Sequence, residues 1–566
     1  MRKRVNNANS AKAFANAVDV QYFYQKFELL YIAKLNFDSK MKSYKEHLSS
    51  IKSFGEQVSV KRRPVFRGSA IFPVIQHAKL NTRVLYMGYW MVKNNITELG
   101  LLITLRDQLG TIIYRDTQQI NNPSSKEVEV GGILKAIEFP GDYFEGSIEL
   151  EIFSSKDLVF PFPAFVVNYY NEKGSSAVHT TGRVYNDVED MQSNSVEVKE
   201  CGFDLFPGED MDPFFAFVNG HEVNSNAQFT LEVISKKGIS NTKEISIGEL
   251  SGLESKFIKL KDFLPIDEWI EGEVGTLKIT HNLKGMFPRF IAGNFSKSAE
   301  ALAITHTYYD NSKNSSEVAY WTNTNPDLMH DSSVFVPLFL DDDWYSELKL
   351  YPIYSPSEHT IEVQFFDEKG KIVHTIENFL QIANDHNEFV EVNFNELVEA
   401  EGLNKSEIKG VMLIKHCAEK NRIPSRLKYG LNVGRKGRAF DLPTNICFAS
   451  SVSNEKIITK SGTFKWLPLL NSGHSVGIIE NSSFVKDYQQ KAEVTANYYK
   501  KDNPIPLTRN FTINPNGQVR LELDDELAAF ADGNAIWVTI QANSPFVKAW
   551  YFEFNESGIM GGDHSF

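Results

Sequence analysis

The chain repeats itself four times at a period of about 130 residues, which is the length of a whole small domain and far longer than a solenoid repeat. A strand-like run carrying a proline recurs as Ile71-Phe72-Pro73-Val74, Leu205-Phe206-Pro207, Val336-Pro337-Leu338 and Trp466-Leu467-Pro468-Leu469. The four prolines stand 134, 130 and 131 residues apart. Proline is tolerated in a sheet only at an edge, a strand end or a bulge, so each copy is expected to place it there.

The internal order of each copy is the same. Two runs that read as a strand pair follow the proline: 86–92 with 101–106, 214–218 with 229–234, 348–354 with 361–366, and 476–479 with 492–499. Turn residues such as Asp107 to Gly110 and Asp367 to Gly370 come next, and a third alternating run closes each unit at 147–153, 276–280, 411–414 and 535–540. Period-two alternation in short runs with frequent turns is what two antiparallel sheets packed face to face require. The expected fold is all-β: four tandem antiparallel β-sandwich domains, Ig-like or jelly-roll-like, behind an N-terminal amphipathic helical segment. The expected boundaries are a basic helical arm at 1–66 and sandwiches at 67–192, 193–330, 331–460 and 461–566.

A chain of 566 residues with 42% hydrophobic and 12% aromatic residues has enough apolar material for four separate small cores. No stretch approaches 18 consecutive apolar residues, so no membrane span is expected. The basic start, Met1 to Arg4, runs into Asn6-Asn7-Ala8-Asn9-Ser10 instead of the apolar stretch of a secretory signal. The expected location is cytoplasmic, or a particle or surface structure reached without a signal. Cys201, Cys417 and Cys447 fall in three different contexts and read as small buried hydrophobes, not as a disulfide framework or a CxxC metal site.

Charge is uneven. Residues 1–66 hold 13 Lys and Arg against 5 Asp and Glu, a net of +8 on a chain whose overall charge is −13. A basic arm of this kind can attract polyanions, but its charges are spread along a helical pattern, so nucleic acid is not the expected partner. Val20, Phe23, Phe27, Leu30, Lys34, Phe37, Met41, Tyr44, Leu48 and Ile51 step by three and four, and nine of the ten are apolar. That seam predicts either docking onto the first sandwich or self-association through residues 20–51.

Phosphate loops and zincin helices are missing from the sequence. Gly561-Gly562-Asp563-His564-Ser565 is similar to the first metal-binding motif of arginase-like ureohydrolases. That family's Asp-rich motifs and parallel α/β pattern are lacking, so the match is set aside. His179, His306 and His564 each fall in the polar hairpin that ends a repeat, with Leu442-Pro443-Thr444 at that place in the third, and they are candidate ligand contacts. Asp210 and Asp212, and Asp341, Asp342 and Asp343, sit in matching loops of the second and third repeats and are candidate calcium ligands; no other cofactor is expected. Of Trp90, Trp321, Trp344, Trp466, Trp537 and Trp550, Trp344 beside three Asp is the candidate exposed platform for a glycan.

Two functions follow as expectations. The first is a non-enzymatic structural or binding protein, a rod of sandwiches anchored or oligomerised by its helical arm, as in surface, appendage or virion components. The second is a carbohydrate-active or carbohydrate-binding protein with a site in one repeat. Near-equal repeats without a long insertion favour the first.

Overall fold

The computed structural model describes residues 64–566 apart from 161, 180–181, 185–198, 288, 311–319, 322–324, 353–356, 384–388, 421, 425–426 and 450. The expected helical seam at 20–51 lies outside the described residues. The chain is mostly antiparallel β-sheet, as its alternation predicts. In the first unit, Arg67–His77, Tyr143–Phe153, Leu99–Asp107 and Ile112–Ile120 lie side by side in one sheet. Ser125–Glu129, Asn81–Met87, Val166–Tyr170 and Ser175–His179 form the other. Counted along the chain, the orders are first-sixth-third-fourth and fifth-second-seventh-eighth.

The same two orders return three more times. The second, third and fourth units have their fifth-second-seventh-eighth sheets at Ser255–Lys259, Met211–Val218, Ile291–Ser296 and Ala301–His306; at Val390–Asn393, Trp344–Leu350, Lys428–Arg435 and Ile446–Ala449; and at Gln518–Glu522, His474–Asn481, Val547–Phe554 and Gly561–His564. A short helical segment separates the fifth and sixth strands in every unit: Val130–Ala136, Ile266–Trp269, Phe394–Ala400 and Asp525–Ala531. This order places the second strand in the sheet opposite the third, so the expected pairing of 86–92 with 101–106 is replaced by a crossing between sheets. Residues 89–94 in that stretch are a helix. Pro73 and Pro468 lie in edge strands, where a missing N–H costs no ladder bond. Pro337 closes its strand, Ser332–Pro337, and Pro207 stands just beyond Asp204–Leu205.

The third strands alternate cleanly, as in Ala492–Tyr499, because their sheet has one wet face. The second and seventh strands do not, and the reason is that they face two cores. On Met211–Val218, Phe215 and Phe217 enter the second unit's own core, while Phe214 and Ala216 enter the cluster of the first. On Val547–Phe554, Ala549 and Tyr551 point into a cluster shared with the first unit, whereas Trp550, Phe552 and Phe554 point into that of the third. The expectation of four separate cores is therefore corrected: the first and fourth units share one cluster, and the third and fourth share another.

An extended rod is also not what the contacts describe. In each unit the turn between the third and fourth strands reaches the fifth strand of the next. Gln108 O accepts from Ser255 N at 3.0 Å, and Lys236 Nζ pairs with Glu391 at 3.1 Å. Glu368 O accepts from Gln518 N at 3.0 Å. The fourth joint runs back to the beginning: Lys500 O accepts from Ser125 N at 3.1 Å, and Lys501 pairs with Glu127 at 2.7 Å. The units close head to tail into a ring.

Candidate metal centre

Closure brings the eighth strands of the four units together at the middle of the ring. Ser176 Oγ accepts from Ile304 N at 3.0 Å, and Thr305 Oγ1 accepts from Cys447 N at 3.3 Å. The last strand approaches the first unit so closely that a Cβ on Gly561 would lie 2.4 Å from the Ser175 carbonyl oxygen. The glycine that opens the Gly561-Gly562-Asp563-His564 segment thus has a packing role: backbone meets backbone, and no side chain fits.

Three histidines from three units meet here with one carboxylate. His179, His306, His564 and Asp563 each offer a ligand atom, and these atoms all lie within 4.8 Å of one another. The His179 and His306 rings are 4.5 Å apart, and those of His179 and His564 4.8 Å, centre to centre. Asp563 accepts from His179 Nδ1 at 2.6 Å and from the His179 backbone N–H at 3.0 Å through Oδ2, and from His564 N–H at 2.7 Å through Oδ1. His306 Nδ1 donates to the Thr307 carbonyl at 2.9 Å, and His564 Nδ1 donates to the Ser565 carbonyl at 3.0 Å. A carbonyl or an ionised carboxylate can only accept, so each Nδ1 carries the proton and each Nε2 holds its lone pair in the neutral ring.

The electrostatics agree. Burial alone would raise the Asp563 carboxyl, but His179, His564 and His306 together hold it well below the usual carboxylate range. Burial, with Arg289 and His179, pushes His306 far down. His564 keeps 32% of its side chain exposed, yet is hemmed in enough that burial lowers it to about 4. Two of the three imidazoles are therefore uncharged at neutral pH. Phe566 packs edge-on to the His179 ring at 5.4 Å and stacks on Trp466 at 5.8 Å, giving the cluster an apolar side.

The histidine recurrence is readable in the sequence, but its carboxylate is not. Counting from the buried polar residue of each seventh strand, Asn168, Asn294, Asn432 and Glu553, aligns His179 with Thr305, Cys447 and Asp563. His306 and His564 belong to the next position, where the third unit has Phe448. Asp563 supplies the carboxylate that accompanies the histidines. Leu442-Pro443-Thr444 precedes the third unit's eighth strand and is not its counterpart.

The other candidate residues are engaged elsewhere. Asp210 accepts from Ser296 Oγ at 2.7 Å and Ser298 N at 2.8 Å, and Asp212 pairs with Lys297 at 3.2 Å. Lys409 holds Asp341 at 2.6 Å, while Arg435 and Arg438 hold Asp343 at 3.0 and 2.9 Å. Asp342 is exposed in a left-handed turn at φ 53°. Among the described residues these carboxylates do not form a metal-binding group. Trp344 is half-buried, tilted against Phe554 at 4.4 Å with the Arg435 guanidinium 5.0 Å from its ring centre, so it is a packing residue and not a bare platform.

No family model matches the chain, and no curated protein matches it either. Among the described residues no helix is long and apolar enough to cross a membrane.

Proposed function

We propose that the chain is four copies of one eight-stranded β-sandwich domain, closed into a ring that serves as a non-enzymatic scaffold in a surface, appendage or virion-type assembly. The observation that carries this reading is the fourth joint. The contact from the last unit to the first repeats the form of the other three, so the molecule is built as a closed platform. The joints consume the loops that an enzyme of this class would use to build a pocket. A hollow at the first joint, lined by Ile71, Pro73, Arg183, Phe217, Met286 and Arg289, has a volume of about 10 Å³, room for about one water.

The basic arm supplies the assembly contact in this reading, through the apolar seam at 20–51. Glycan binding has less support, since Arg435 and Phe554 occupy the Trp344 ring. The test is the mass of the full chain in solution by light scattering, with and without Phe27→Asp and Leu30→Asp together. Wild type is expected to form a defined oligomer that the double variant reduces to a monomer of unchanged circular dichroism. Equal mass for the two proteins would remove the arm as the assembly element.

A further inference from the structure

We propose that His179, His306 and His564 bind one divalent transition-metal ion of the zinc type through their Nε2 atoms, with Asp563 orienting His179, so that the ion clasps the first, second and last units together. This goes beyond the scaffold reading and does not depend on it.

The case rests on how the second nitrogen of each ring is used. Histidines that bind metal almost always donate their other N–H to a carboxylate or a backbone carbonyl, which fixes the tautomer and the ring direction. Here the three partners are the Asp563 carboxylate, the Thr307 carbonyl and the Ser565 carbonyl. In all three rings Nδ1 is the nitrogen so engaged, which assigns Nε2 as the ligand atom. Neutral imidazoles suit zinc and its neighbours, whereas calcium and magnesium require oxygen ligands.

The spacing is close to what binding needs. Zinc–nitrogen bonds of about 2.0–2.1 Å put tetrahedral ligand atoms about 3.4 Å apart. One nitrogen of each ring and an Asp563 oxygen lie within 4.8 Å of one another, so the three rings are near enough for their rotation to bring the Nε2 atoms toward a common ion. The partly exposed His564 gives a route in from solvent. The ligands are 127 and 258 residues apart along the chain, in three different units, so a bound ion crosslinks the ring at its centre.

The experiment uses the full chain without a histidine tag, stripped with chelator, incubated with zinc chloride alone and desalted. Elemental analysis is expected to find about one zinc per chain, and zinc is expected to raise the melting temperature of the stripped protein. In competition with a chromophoric chelator, His306→Gln and His564→Gln should each weaken zinc binding at least about tenfold. Asp563→Asn should weaken it about 10- to 100-fold, as loss of an orienting partner does. Cobalt(II) added to the unaltered protein should give the visible absorption bands of a four-coordinate site, a readout that does not depend on any variant folding. A protein that retains no zinc, absence of the cobalt bands, or wild-type zinc affinity in His306→Gln and His564→Gln would overturn the proposal.

Discussion

Asp563 accepts the Nδ1 proton of His179 at 2.6 Å although the two stand 384 positions apart in the chain. The pair joins the last strand of the fourth unit to the last strand of the first, and Asp563 is 2% exposed. Its two oxygens also satisfy the backbone N–H groups of His179 and His564.

Removing that carboxylate is expected to be destabilising. Asp563→Ala strands buried donors on both strands, and leaving a buried donor unsatisfied costs about 1–3 kcal/mol. The denaturation midpoint of metal-free protein should fall accordingly. A change below about 1 kcal/mol would mean that water replaces the carboxylate at no net loss.

Glu480 gives a pH dependence. Burial raises its carboxyl to about 7, against the lowering influence of Lys548, Ser482 and Trp550. A carboxyl whose pKa is raised by folding stabilises the fold fully below its unfolded value near 4.5, and the contribution is lost as pH rises through about 7. Glu480→Gln should therefore flatten the fall in melting temperature between about pH 5 and 8. An unchanged slope in the variant would assign the titration to other groups, Glu553 first among them, which burial also raises to about 7.

Two glycines separate close approach from ordinary packing. Gly561→Ala would drive a Cβ to 2.4 Å from the Ser175 oxygen and should lower the melting temperature by several degrees. Gly132→Ala, in the short helix Val130–Ala136 with its nearest neighbour at 3.6 Å, should be neutral or stabilise by up to about 1 kcal/mol. Equal effects from both would show that the strand crossing at Gly561 relaxes easily.

Phe214 tests the shared cores. It belongs to the second unit but is buried at 3% exposure in the cluster of the first. Phe214→Ala should cost about 3–5 kcal/mol, comparable to Phe215→Ala within the second unit's own core. A cost near zero at Phe214 would show that the units associate without depending on that seam.

Much of the fold is legible in the sequence. The third and sixth strands alternate or run apolar at the places their spacing predicts, since their neighbours are close along the chain. The second and seventh strands are harder. Phe214-Phe215-Ala216-Phe217 reads as one buried run, and nothing local says that alternate residues serve different units. The ring itself is silent in the sequence, because the closing contact of Ser125 with Lys500 pairs residues whose local patterns carry no mark of each other. Of the candidate site, the histidine recurrence is visible, but Asp563 hides at the alignment position of His179. The acidic loops and Trp344 mislead for a shared reason: composition shows the charge, while the lysines and arginines that neutralise it come from distant positions in the chain.

The shared core of the first and fourth units sets an order on synthesis. Leu467, Trp537, Val538 and Ile540 complete the cluster that also holds Phe72, Leu85 and Leu150. The ribosome makes those late residues about 400 positions after the early ones, roughly 20 to 80 seconds later at about 5–20 residues per second. Until those late residues emerge, part of the apolar surface around Phe72, Leu85 and Leu150 lacks the cover they provide.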